Sequence, residues 1–123
     1  MDSRDDCDWR DGREFDEIYH ILGTQWTAPT LVLPARCPRC DTMTVHLFFH
    51  RNPYNDGKTG GGWAWCSQCR GFGHGLWKIP EWWLDMPDLP DNALLFAPII
   101  MDQIAKRIDA HWNRVRAAYR HQV

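Results

Sequence analysis

The sequence predicts an α+β domain: a small three-stranded antiparallel sheet clamped at one end, preceded by a short N-terminal helix and followed by a long C-terminal amphipathic helix. Three observations carry this expectation. Two Cys-x2-Cys pairs, Cys37/Cys40 and Cys66/Cys69, are separated by 25 residues. The segment between them alternates apolar and polar positions as paired strands do. Toward the C-terminus, apolar residues return at steps of three and four, the spacing of one helix face. At 123 residues and 14.5 kDa the chain suffices for a single domain over 1–123 and is too short for two ordinary ones. A composition 44% hydrophobic and 24% charged is that of a packed globule, not of a disordered polymer.

In chain order, residues 1–13 are acidic and expected to form a flexible N-terminus. Phe15, Ile18, Tyr19 and Leu22 recur at helical spacing and Gly23 supplies a stop, which sets a helix over 14–23. The sheet is expected within 30–79, with Thr30 to Leu33 as a short β segment entering the first cysteine pair. Val45, Leu47 and Phe49 then alternate with Thr44, His46, Phe48 and His50. The turn-rich run from Asn52 to Gly62 contains the hairpin dipeptide Asp56-Gly57. Trp63 and Trp65 follow at strand spacing, and Phe72 to Ile79 supplies the third strand, loosened by Gly71, Gly73 and Gly75. Residues 80–97, with Pro80, Trp82, Trp83, Pro87 and Pro90, read as an irregular crossover.

Pro98 suits the first turn of a helix over 98–121. Its stripe is Ile100, Ile104, Ile108, Trp112, Val115 and Tyr119, a helix of roughly 33 Å at 1.5 Å per residue. Either this whole stripe is core, packed on the N-terminal helix and the tryptophans, or part of it protrudes for a partner. The opposite face carries Lys106, Arg107, Arg114 and Arg120.

The cysteine pairs carry the chemistry. Two thiolates separated by two residues can turn inward on one tight loop and fill two corners of a tetrahedron. A second such loop completes a closed four-sulfur site suited to one structural Zn2+. Four protein ligands leave no open position for water or substrate, so catalysis by the metal is not expected. Two disulfides are the alternative, but they require an oxidising compartment and leave one of the five cysteines, Cys7, unpaired. Cys7 itself lies among carboxylates that blunt a thiol's reactivity. His74 could substitute as a ligand or lie beside the site, with simple packing the plainer expectation. His46 and His50 share a strand face without the two further donors that a second metal site needs. A three-stranded antiparallel sheet clamped by zinc is a zinc ribbon, which has little core of its own and folds on its metal.

Composition and motifs exclude several functions. A net charge of −2 makes a general nucleic-acid coat unexpected. The charge is uneven, with net −5 over residues 1–20 and +3 over 98–123. The two ends are either solvated or dock a partner of opposite charge. The longest uncharged run near the C-terminus, Asn92 to Met101, contains Pro98 and is too short to span a membrane. The first residues hold no apolar export segment, so a cytoplasmic setting is expected. Gly57-Lys58-Thr59 resembles the end of a phosphate-binding loop but lacks the leading glycine at Asn52 and the helix it should open. The zinc-deaminase pattern is missing too. Without a legible catalytic constellation, a non-enzyme is expected. Among eight tryptophans, the adjacent Trp82 and Trp83 are hard to bury together on one small face, which marks at least one as an interface anchor.

The span Cys37 to Cys69, about a quarter of the chain, resembles the zinc ribbons of transcript-cleavage elongation factors and small RNA-polymerase subunits. In those cleavage factors, an adjacent acidic pair at the hairpin tip reaches the polymerase active site. Here the tip offers Asp56 beside Gly57 and Lys58 without a second acid, a departure that argues against cleavage stimulation. The chain also looks similar to small bacterial zinc-ribbon proteins through Gly62-Trp63-Ala64-Trp65-Cys66-Ser67-Gln68-Cys69, His74-Gly75 and Pro80-Glu81-Trp82-Trp83. That likeness implies a candidate immunity protein against a toxin.

Two function classes follow. One is a protein-binding, inhibitory module using the acidic N-terminus or exposed tryptophans. The other is a nucleic-acid or polymerase-associated ribbon using Arg51, Lys58 and the basic helix face. Candidate contact residues are Trp82, Trp83, Asp56 and Lys58. Oligomeric state is not legible from the sequence.

Overall fold

The computed structural model describes residues 9–11, 15, 32–51, 58–86 and 98–122. Strands β1 (Arg10–Asp11), β2 (Ala35–Arg36), β3 (Met43–Arg51), β4 (Thr59–Cys66) and β5 (Gly71–Lys78) form one sheet in the order β1-β5-β4-β3-β2. Helices α1 (Pro98–Gln103) and α2 (Ala105–Gln122) follow.

The expected three-stranded ribbon is thereby corrected. The α+β class holds, but four strands, β2 to β5, are antiparallel neighbours, and β1 adds a parallel edge through Arg10 opposite Gly71. The reason lies in the cysteine loops, each a turn tight enough to fold its two flanks onto one another. The first loop therefore pairs its approach, Ala35, with Val45, just as the second pairs β4 with β5. The approach strand is Ala35–Arg36, whereas Thr30 and Leu31 lie outside the described residues and Val32–Leu33 are not in a strand. Arg10–Asp11 takes a place in the sheet from within the acidic stretch 1–13. Of the helix expected over 14–23 only Phe15 is described, and it is fully buried. The C-terminal helix is broken at Ile104, whose N–H reaches the Met101 carbonyl. Within the crossover, residues 87–97 are outside the described set.

The β3–β4–β5 ladder sorts side chains into two unlike faces. Leu47 pairs with Ala64 and Phe49 with Gly62, so large residues face small ones. On the other face His46 pairs with Trp65, and Phe48 pairs with Trp63, which pairs in turn with His74. The Trp63 and His74 rings stack at 4.6 Å. Val45 through Phe49 are all buried, so β3 is covered on both faces and is the centre of the core.

Pairing with β2 ends at Val45, which leaves the Leu47 and Phe49 carbonyls on the outer edge of β3 without a strand. Two indoles replace it: Trp112 Nε1 donates to Leu47 O at 2.8 Å, and Trp83 Nε1 donates to Phe49 O at 3.0 Å. The rings of Trp83 and Trp112 then pack at 5.0 Å. No helix among the described residues is long and apolar enough to cross a membrane.

Two outcomes are expected. Trp112→Phe keeps most of the ring but leaves a buried carbonyl unsatisfied, and denaturant titration should register a loss of roughly 1–3 kcal/mol. His111, 3% exposed, donates Nε2–H to Leu84 O at 2.7 Å, and burial lowers its pKa below 6.5. The unfolded histidine then binds its proton at higher pH than the folded one. Its contribution is full above about pH 6.5 and is lost as pH falls toward the folded value. His111→Gln should flatten the dependence of stability on pH below about pH 6.5.

Candidate metal centre

Cys37 and Cys40 lie in the turn joining β2 to β3, while Cys66 ends β4 and Cys69 lies in the turn that joins β4 to β5. The two turns are built alike. Arg39 N and Cys40 N donate to Cys37 Sγ at 3.3 and 3.5 Å, while Gln68 N and Cys69 N donate to Cys66 Sγ at 3.4 Å each. Asp41 N closes on Cys37 O and Arg70 N on Cys66 O, both at 3.0 Å. The exit residues Asp41 and Arg70 take the left-handed conformation, with φ of 60° and 63°.

This repeated design brings four sulfurs together, all within 4.8 Å of one another. Cys37 and Cys69 Sγ are 3.7 Å apart, as are Cys40 and Cys66 Sγ. A tetrahedron with metal–sulfur bonds of about 2.3 Å has edges of roughly 3.8 Å, so this donor set fits one tetrahedrally bound ion. All four cysteines are free thiols rather than disulfides. Cys37 and Cys66 are buried, Cys40 and Cys69 half-buried.

Protonation gives a second test of the fit. The Thr42 hydroxyl, 3.0 Å from Cys40 Sγ, brings that thiol down to about 6. Burial instead raises Cys37 and pushes Cys69 up to about 12. A further hydroxyl, Thr44 Oγ1, sits 3.0 Å from Cys66 Sγ. Four ionised sulfurs this close require a cation between them, because each adds negative charge that burial already disfavours.

His74 does not contribute to the cluster; it stacks on Trp63, and burial lowers its pKa. Lys58 is exposed just before β4, with its carbonyl accepting from Ile79 N, while Asp56 lies outside the described residues. Trp82 is half-buried against Trp112 at 5.7 Å, and Trp83 is 2% exposed among Phe48, Phe49, His111 and Trp112. Adjacent tryptophans are accommodated because one lies inside the aromatic cluster and the other at its margin. Arg51 is engaged by Asp85 and by Pro80 O.

A second constellation had only a faint sequence signal, a histidine on a strand position destined for burial. His46 Nε2 is 2.8 Å from Ser67 Oγ, and His46 Nδ1 is 2.9 Å from Asp109 Oδ1. The order of atoms is that of an acyl-transfer triad, but the surroundings differ. Ser67 Oγ donates to Asp102 at 2.5 Å, and its own N–H is taken by Thr44 O. The next two N–H groups are directed at Cys66 Sγ, so these three donors are not free to cradle an oxyanion.

Neither a protein-family model, nor a curated protein, nor a solved structure matches this chain.

Because Cys37 and Cys69 must lose protons to ligate, metal uptake should release at least two protons per ion near neutral pH. Apparent affinity should then rise by at least about a hundredfold per pH unit between about pH 6.5 and 7.5, measured by competition with a chromophoric chelator.

Proposed function

We propose that this chain is a non-enzymatic interaction module organised by one structural Zn2+, and that it binds and inhibits a protein partner in the manner of an immunity protein. The closed four-sulfur donor set carries this reading. Thiolates suit Zn2+, and a site completed by Cys37, Cys40, Cys66 and Cys69 offers no position for a substrate. The ion would supply a cross-link and a neutralising charge. The engaged donors around Ser67 support a non-catalytic role for the one triad-like array. Reduced thiols fit a cytoplasmic protein. Exposed Leu76 and Met43 offer apolar contact area to a protein.

A nucleic-acid partner is the second reading, favoured by one feature of α2. Lys106, Arg107, Arg114 and Arg120 are exposed, while the acids of the two helices, Asp102 and Asp109, engage Ser67 and His46.

Elemental analysis of protein purified from a reducing cytosol should find one zinc per chain. A folded, metal-free protein would refute the metal reading. Fluorescence anisotropy with DNA and RNA at two salt concentrations separates the partners. Absence of salt-sensitive binding at micromolar protein is expected, and binding that weakens steeply with salt would favour the nucleic-acid reading.

A further inference from the structure

Ser67 sits between two metal ligands yet points its hydroxyl away from the sulfurs, into a hydrogen-bonded bridge reaching both helices. The bridge has four contacts. Trp65 Nε1 donates to Asp102 Oδ1 at 3.1 Å, and Ser67 Oγ donates to the same oxygen at 2.5 Å. Ser67 Oγ meets His46 Nε2 at 2.8 Å, and His46 Nδ1 meets Asp109 Oδ1 at 2.9 Å. Asp102 belongs to α1 and Asp109 to α2, so one hydroxyl in the second cysteine turn is hydrogen-bonded to α1 and, through one imidazole, to α2. His46 is 7% exposed, which places much of the bridge out of bulk water, where charge-assisted hydrogen bonds are strong.

We propose that Ser67 is a positioning residue that couples the metal centre to the C-terminal helices, so that metal occupancy governs how firmly α1 and the first half of α2 stay docked on the sheet. The inference rests on the metal reading above and is independent of which partner is bound. It is directional along the helix. The bridge holds residues 98–109, whereas Trp112 is fastened to Leu47 O on β3, away from the cysteine turns. Loosening the Cys66–Cys69 turn therefore affects the near part of the helical cover more than the far part. Coupling is reciprocal, so docked helices must also strengthen binding of the ion.

The experiment uses the full chain loaded with Co2+, whose sulfur charge-transfer bands report on ligation, together with hydrogen exchange resolved by segment. Wild type and Ser67→Ala should bind one ion with the same tetrahedral spectrum. In Ser67→Ala, amides of 98–109 should exchange about tenfold faster while those of 112–119 change little, and Co2+ affinity measured by chelator competition should fall about tenfold. Trp65→Phe, which removes only the indole donor to Asp102, should show a smaller change in the same segment. It serves as the test should Ser67→Ala fail to fold. Unchanged exchange over 98–109 in both folded variants, or equal acceleration along all of α2, would overturn the coupling. Failure of wild type to bind Co2+ would instead bring down the metal reading, and the coupling with it.

Discussion

Four sulfur atoms drawn into one small volume by two tight turns are the constraint on which this molecule rests. Ionised together they repel, and burial adds to the cost at Cys37 and Cys69. A bound metal cation would convert that repulsion into a cross-link between segments far apart in sequence. The backbone is arranged for it, since each turn aims two N–H groups at its first sulfur and a threonine hydroxyl lies beside one sulfur in each. The ladder from Val45 opposite Cys66 then continues from this end into the aromatic core.

Much of this was legible because it is local. The Cys-x2-Cys spacing marks the two turns, and alternation from Thr44 to His50 marks β3, since both depend on neighbours in the chain. The apolar stripe likewise located the C-terminal helices, although nothing in it signalled the break at Ile104. What escaped was non-local. Two-residue strands such as Ala35–Arg36 and Arg10–Asp11 have no periodicity to read and exist only through their pairing partners. The His46 bridge joins residues 21 and 63 positions away in sequence, a relation that no spacing rule can express. The tryptophans were read as apolar mass, whereas Trp83 and Trp112 also act as donors.

That second role resolves a difficulty created by the short β2. A strand edge with unpaired carbonyls invites pairing by another chain. Covering Leu47 O and Phe49 O with indole N–H groups satisfies the backbone and adds large rings to the core at the same positions. The aromatic richness of the chain is thus partly a solution to hydrogen bonding, with Trp65 repeating the pattern toward Asp102.

The left-handed residues that end the cysteine turns extend the same economy to the borders of the sheet. Glycine would adopt that conformation most easily, but both positions carry charged side chains. Asp41 reaches back to Arg36 in β2, and Arg70 lies over the ring of Trp9, its carbonyl receiving the N–H of Arg10 in β1. Each outermost strand is therefore moored to the loop nearest it. Mechanical tension on either flank would be transmitted into the cysteine-bearing loops before it could peel the ladder, making the four-sulfur cluster the anchor for both margins of the fold.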